Sequence, residues 1–538
     1  MSYVQNKSLR YTLSVCVISS IMIAGGCKSK KGSASSVEDV AVTINHKDYG
    51  EIGNLLRVPV RKVTEKDAEL ALKSIGLWEE SKLLTWDSRS GSEGSYSFKN
   101  MSSTDKSGQK FSAKNVTIAG LHMDGETPVA DLVDMAGLKF EGKDTSLTID
   151  NIGMTKLTLN QNFTALGYIE DLLDVADDDS GVADDSDVVD DDLNLDADVQ
   201  GLQSFVVSGV KGQSDDSDFN IASLGWGQDP EDAHLRFAAK DLLITSKDAD
   251  AITIKLASAN IRGLEPMDET TTKRLELNGQ NSFTDLLTQN PKLGDVDIQG
   301  LDISSDFIVL SLPKLTQSTV QKGAITNVDF IMPELKITVQ EQEELSPDIA
   351  QAMAMLKSLG FDEMVFSSKG HTQINEDTDV MDIKAVSLDL QEGFDLNYKG
   401  KLSGFSALQD FSVETSPEAL QAKQDQFKVH DFAFSFEDKS IVDRGFNLAS
   451  AMTGETPKNL RRQVNGMLAL GSLAALTQDD GAIYSELARS LGQFLQDGGT
   501  FNVELNPEAP LSLRDFEGLS GGQKPDLRRF GLSSSTTK

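Results

Sequence analysis

The sequence predicts a β-dominated α+β fold: a long antiparallel sheet, curved or closed into a sandwich, with a few short helices and a helical C-terminal part. Three observations carry that expectation. Apolar residues alternate with polar ones in short runs: Val116 and Ile118, Leu147 and Ile149, Ile252, Ile254 and Leu256, Val296 and Ile298, Leu335, Ile337 and Val339, and Phe432, Phe434 and Phe436. A period of two puts the apolar side chains on one face of a half-buried antiparallel strand. Gly-, Ser- and Asp-rich clusters at 90–94 and 211–218 separate such runs as turns. Helical spacing is otherwise sparse until the final quarter of the chain.

Taken in order, the first helical stretch is 65–77, with Ala68, Leu70 and Leu72 set among charges. A second, 346–359, opens Ser346-Pro347-Asp348, where Ser can cap and Pro suits the first turn, and Gly360 ends it. Leu72-Lys73-Ser74-Ile75-Gly76-Leu77 matches Leu356-Lys357-Ser358-Leu359-Gly360-Phe361. Leu159 to Thr164 likewise resembles Leu277 to Thr284, so stacked, related β-rich units are an expectation alongside a non-repeating sheet. Residues 439–452, 458–476 and 482–495 read as three helices, and Phe501, Val503 and Leu505 return to strand alternation. The polar stretch from 516, ending in a Ser/Thr run, is expected to fray.

A chain of 538 residues with 39% hydrophobic residues can bury a substantial core. Its formal net charge of −34 argues against nucleic acid as a partner, because a polyanion is repelled. Both cysteines, Cys16 and Cys27, lie near the N-terminus, so no disulfide can staple the body of the fold.

Lys7 and Arg10 precede an apolar run from Tyr11 to Ile23, the order of a secretory leader, and the run is too short to cross a bilayer comfortably. The small residues Ala24-Gly25-Gly26 then lead into Cys27. This arrangement resembles a bacterial lipoprotein precursor, although Ala24 stands where that pattern usually has Leu. The resemblance implies cleavage before Cys27, lipid on its thiol, and attachment to a membrane through that lipid. Lys28, Lys30 and Lys31 follow in a small, polar run that reads as a tether, its charges facing anionic headgroups. Ordinary secretion, with Cys27 as a stray thiol, is the alternative. Lys28 rather than Asp after the cysteine implies outer-membrane sorting in a cell with two membranes.

Several motifs fail on their context. Leu519-Ser520-Gly521-Gly522-Gln523 spells an ATP-binding-cassette signature, and Gly137 to Lys143 has phosphate-loop spacing. Yet Asp144 replaces the Mg²⁺-binding hydroxyl, and the surrounding pattern is strand. Gly518-Leu519-Ser520-Gly521-Gly522 fits a nucleophile elbow, but the last histidine, His430, lies upstream of it. His46, His122, His234, His371 and His430 are scattered singly, without the paired spacing of a zinc site. The acidic run at 177–187 resembles a thrombospondin-type calcium loop, with Asp177, Asp178, Asp179, Asp184 and Asp187 as Ca²⁺ ligands. A solvated, self-repelling insertion explains the same run. No other cofactor is expected.

The order of strands then helices beginning Asp438-Lys439-Ser440-Ile441-Val442-Asp443-Arg444 is similar to the C-terminal part of uncharacterised β-rich envelope proteins of proteobacteria. That likeness implies location and architecture and brings no activity with it. The expected organisation is a signal peptide (1–26), tether (27–44), β-rich unit (45–174), acidic insertion (175–199), second β-rich unit (200–345), helix plus β-rich unit (346–437), helical segment closing with a strand (438–515) and tail (516–538). The expected function is non-enzymatic: a lipid-anchored protein of the cell envelope, at the outer membrane facing periplasm or exterior, that scaffolds a partner or holds a lipid on an amphipathic sheet. The competing expectation is a hydrolase using paired carboxylates. Three tryptophans offer little surface for stacking sugars.

Overall fold

A computed structural model describes residues 46–538 apart from 81–83, 105–108, 143–144, 160–201, 215–216, 230–233, 248–251, 265–293, 307, 341–356, 358, 362, 405–421, 423–424, 476–480 and 521–526. Strand outweighs helix, 59% to 22%, so the β-dominated class holds. The chain divides into two compact units between Gly294 and Asp295. That boundary falls inside 200–345, which the sequence reads as one unit.

The N-terminal unit opens with a 3₁₀ segment, His46–Leu56, kinked at Gly50, and helix α1, Glu65–Ser74. Its strands are β1 (Leu84–Thr85), β2 (Ser88–Ser92), β3 (Ser95–Thr104), β4 (Lys110–Ala119), β5 (His122–Asp124) and β6 (Thr127–Glu141). They continue as β7 (Ser146–Thr158), β8 (Ser204–Gln213), β9 (Ser217–Gln228), β10 (Leu235–Ser246) and β11 (Thr253–Leu264). From β3 the chain meanders, β3–β4–β6–β7–β8–β9–β10–β11, every pairing antiparallel. The 137–141 stretch with phosphate-loop spacing is the end of β6. A strand aims no helix N-terminus at an anion, so that motif has no chemistry here.

Register explains the core. Phe98, Val116, Met135, Ile152 and Val207 face one another across five strands, and none is more than 5% exposed. Helix α1, capped by Thr64, adds Ala68, Ala71 and Leu72 to this cluster. The 3₁₀ segment packs on the other face, where Tyr49, Ile52, Leu55 and Leu56 meet Ala119, Leu132 and Val206. Adjacent residues Leu132 and Val133 belong to the two different clusters, as the strand's alternation requires.

The chain must therefore cross from one face to the other between Leu56 and Glu65, and a buried ionic knot fastens the crossing. Asp131, with a fully buried side chain, accepts the Arg61 backbone N–H at 2.8 Å and its Nε at 3.1 Å. Lys156 Nζ reaches the same carboxylate at 3.0 Å. Arg61 Nη1 donates to His122 Nε2 at 2.8 Å. The imidazole proton then sits on Nδ1, which donates to the Gly120 carbonyl at 2.7 Å. Gly120 has φ +65°, and a Cβ there would lie 2.2 Å from Asp131 Oδ2, so only glycine fits.

The C-terminal unit repeats the meander with less cover. Its strands are β12 (Val296–Ser304), β13 (Ile308–Lys322), β14 (Ile325–Val339), β15 (Glu363–Asn375), β16 (Val380–Leu390), β17 (Phe394–Ser403) and β18 (Lys428–Asp438). After β18 come helices α2 (Ile441–Thr453), α3 (Pro457–Ala475) and α4 (Gly481–Asp497). The unit ends with β19 (Gly499–Leu505), β20 (Leu511–Ser512), helix α5 (Leu513–Ser520), a 3₁₀ turn at Leu527–Phe530, and β21 (Leu532–Thr537). Consecutive strands from β12 to β19 pair antiparallel. The three C-terminal helices match the spacing read from sequence.

Helix α4 lies on the sheet face that carries the alternating phenylalanines. Phe494 packs its ring 5.7 Å from Phe501 and 5.8 Å from Phe436. Helix α3 leaves Met467, Leu470 and Leu473 more than 60% exposed.

One expectation for the C-terminus is corrected. The polar tail does not fray throughout: β21 pairs along its length with β19. Phe530 anchors it at 5% exposure, and Ser490 of α4 bonds Ser534 O and the Thr536 hydroxyl. Ser and Thr read as a loose end, yet hydroxyl side chains suit an edge strand tied down by a helix. Ser520 closes a helix rather than following a strand, a further reason, beside the upstream His430, against a nucleophile elbow. The internal repeat is not confirmed. Gly76 and Gly360 share φ +74° and precede buried Leu77 and Phe361, but most of 346–359 and the pair 159–164 and 277–284 lie outside the described residues, save Leu159.

Candidate functional site

A trough of about 610 Å³ crosses β14 to β19 within the C-terminal unit. Strand register builds it. Ile331, Lys369, Ser387, Asn397, Ser435 and Asn502 form one continuous cross-strand row. A second row holds Asp329, His371 and Ala385 on β14 to β16 and Lys399, Ala433 and Glu504 on β17 to β19. Both rows line the trough, and between them run Phe330, Gly370, Val386, Tyr398 and Phe434. Because successive strand residues point to opposite faces, the two rows lie on the face away from α4, whose cluster includes Phe434, Phe436 and Val503.

The sequence reading weighs a ligand groove on the apolar face against a closed core there, and the trough lies on neither. Around β18 and β19 that face is occupied by α4. The trough is instead on the mixed face, with Ile331 51% exposed and Ala385 exposed beside polar side chains. A volume of this size matches small-ligand sites.

The charges in the trough are unevenly matched. His371 Nδ1 lies 2.7 Å from Asp329 Oδ1, and Lys384 pairs with Asp382. Lys369 and Lys399 have no ion pair among the described residues.

Two residues further along β16 and β17, Asp389 and Asp395 face each other directly. Hydrogen bonding between the two carboxyls comes first in setting their titration: it lowers Asp389 and raises Asp395, and Lys439 bonds both. Lys439 in turn is raised by its bond to Asp389. The heptad Asp438 to Arg444 thus works as a fastening: Asp438 accepts the Val442 N–H at 3.0 Å, and Lys439 holds the carboxylate pair. Arg444 donates to the Leu359 carbonyl at 2.9 Å and lies 4.0 Å from the Phe361 ring centroid.

The sequence-derived site residues fall elsewhere. Cys27, Lys28, Lys30 and Lys31, and the calcium candidates Asp177, Asp178, Asp179, Asp184 and Asp187, lie outside the described residues. Among the described residues no group of three His, Cys, Asp or Glu side chains is placed to hold a metal, and no helix is long and apolar enough to cross a membrane. Sequence reasoning missed Lys369, Lys399 and the Asp389–Asp395 pair, each visible only once strands are in register.

A family model described only as an uncharacterised protein matches residues 387–535. The match takes in Ser387, Asn397, Lys399, Ala433, Ser435, Asn502 and Glu504 of the trough, all of α2 to α4, and the heptad, but not Lys369 or His371. No curated protein matches the chain.

Proposed function

We propose that the chain is a non-enzymatic, lipid-anchored cell-envelope protein that binds an apolar or amphipathic ligand. Cys27 carries the lipid in this reading, and Lys28, Lys30 and Lys31 lie against anionic headgroups. The observation that carries binding is the trough of about 610 Å³, with Ile331, Ala385 and Ala433 beside hydrogen-bonding Asn397, Ser435 and Asn502. Such a mixture of apolar lining and a few polar groups is what small-molecule sites use for affinity and orientation.

Cys27→Ser is expected to block lipidation and the cut that depends on it, leaving an unprocessed precursor in the membrane fraction. Processing and location like the parent would remove the anchor from the reading. Organic extraction of the purified soluble body, followed by lipid mass spectrometry, tests the binding half: a co-purifying amphiphile is expected, and an empty extract leaves a scaffold.

The hydrolase reading is favoured by one observation, the directly opposed Asp389 and Asp395. Against it, Lys439 bonds both carboxylates, which suits a fixed structural pair better than a free acid and base. Turnover of chromogenic esters or glycosides that disappears in Asp395→Asn would revive it.

A further inference from the structure

We infer that the trough selects an anionic amphiphile, with its phosphate or carboxylate head held between Lys369 and Lys399. The inference rests on the binding reading above and names its ligand class.

Charge bookkeeping is the first ground. The chain carries a formal net charge of −34, so an anion approaching most of its surface is repelled. The trough departs from that background, with Lys369, His371, Lys384 and Lys399 against Asp329 and Glu504. His371 is matched by Asp329 and Lys384 by Asp382. Of the charges that line the trough, this leaves Lys369 and Lys399 against Glu504, two cations to one anion, while Asp389 and Asp395 two residues away are bound by Lys439.

Position is the second ground. Lys369 lies on β15 in the row of Asn397, and Lys399 lies on β17 two residues beyond Asn397. Sheet spacing puts their Cα atoms about 12 Å apart, so two long ammonium stems can close on one headgroup from opposite sides. Asn397, in the row of Lys369 and two residues from Lys399, supplies an amide donor for an anionic oxygen.

Apolar surface beside the charges is the third. Ile331 shares the row of Lys369 and is 51% exposed, an uncommon exposure for an isoleucine central in its strand. Ala385, Ala433 and the aliphatic parts of the lysines continue that surface. A free inorganic anion would use only the cations, whereas a neutral lipid would use only the apolar strip. An amphiphile with an anionic head uses both.

The test is fluorescence-displacement binding to the full chain, with lysophosphatidylglycerol, lysophosphatidylcholine, a long-chain fatty acid and inorganic phosphate as separate probes. The anionic lysolipid and the fatty acid are expected to bind at least about tenfold more tightly than lysophosphatidylcholine, a difference of about 1.4 kcal/mol. Inorganic phosphate is expected not to compete. In the Lys369→Glu/Lys399→Glu double variant the ratio of anionic to zwitterionic lysolipid affinity should fall to about one or below, a loss of at least about tenfold in preference. Lys369→Arg/Lys399→Arg should keep the preference and shows that the exchange itself is tolerated. Equal binding of anionic and zwitterionic lysolipids overturns the headgroup inference and leaves the binding reading standing. Binding of none of the amphiphiles overturns both, and competition by phosphate alone reduces the site to a simple anion site and overturns the amphiphile.

Discussion

Asp131→Ala is expected to destabilise the N-terminal unit by about 3–5 kcal/mol, because it leaves Arg61 and Lys156 partly buried around a void. Asp131→Asn keeps the volume but offers an amide where a carboxylate received several donors, so a smaller loss is expected. Hydrogen exchange read residue by residue would check both, with the largest loss of protection at the 3₁₀ segment and α1, the elements this carboxylate ties together. An unchanged exchange pattern would mean the knot contributes nothing to holding the crossing.

The same residue gives a pH dependence. Burial pushes the Asp131 carboxyl up, but the Arg61 N–H and guanidinium and the Lys156 ammonium outweigh it and hold the group below its ordinary range. A folded value below the unfolded value of about 3.9 means the unfolded chain binds the proton more readily. The stabilisation is therefore fully present above that unfolded value and is lost as the pH falls through the lower folded one. Parent and Asp131→Asn melting curves should converge as the solution is acidified below about pH 4. Curves that stay parallel would remove Asp131 from the acid response.

Phe501→Ala is the second large effect, about 3–5 kcal/mol on the C-terminal unit. Phe501 is 8% exposed, touches the rings of Phe434 and Phe494, and sits on β19, which holds β18 on one side and β21 on the other. The cavity would loosen α4 from the sheet. Loss of amide protection in β21 together with α4 is the expected reading by hydrogen exchange. A loss confined to α4 would mean that β21 is held by backbone pairing alone.

How much of this could be read in advance depends on whether a signal is local. The triplet Phe432, Phe434 and Phe436 announces β18 from three residues, because period two needs no partner. The helices after it announce themselves by spacing and by Gly454 and Pro457 as punctuation. Asp131 could not be read so. It stands in Val129-Ala130-Asp131-Leu132-Val133 as one acid in an apolar run, and its partner Arg61 is distant in sequence. The trough fails for the same reason: Lys369 and Lys399 are ordinary strand lysines until register sets them on one face. The opposed pair Asp389 and Asp395 was hidden by abundance, since 84 acidic residues make any two of them unremarked. The tail misled in the other direction, its hydroxyl-rich composition outweighing the anchor at Phe530.

The 3₁₀ segment that opens the N-terminal unit has its landing surface on β7, β8 and β9. Leu56 fills the space beside Gly153 and Ile52 lies against Gly225. As the chain is synthesised, His46–Leu56 leaves the ribosome ahead of every described strand, and β9, the last of these three, follows about 170 residues and roughly ten to thirty seconds later at ribosomal rates. During that interval Tyr49, Ile52, Leu55 and Leu56 have only part of their cover, Ala119 and Leu132 from the earlier strands. The earliest element of the described fold thus waits for strands made well after it to complete its shelter.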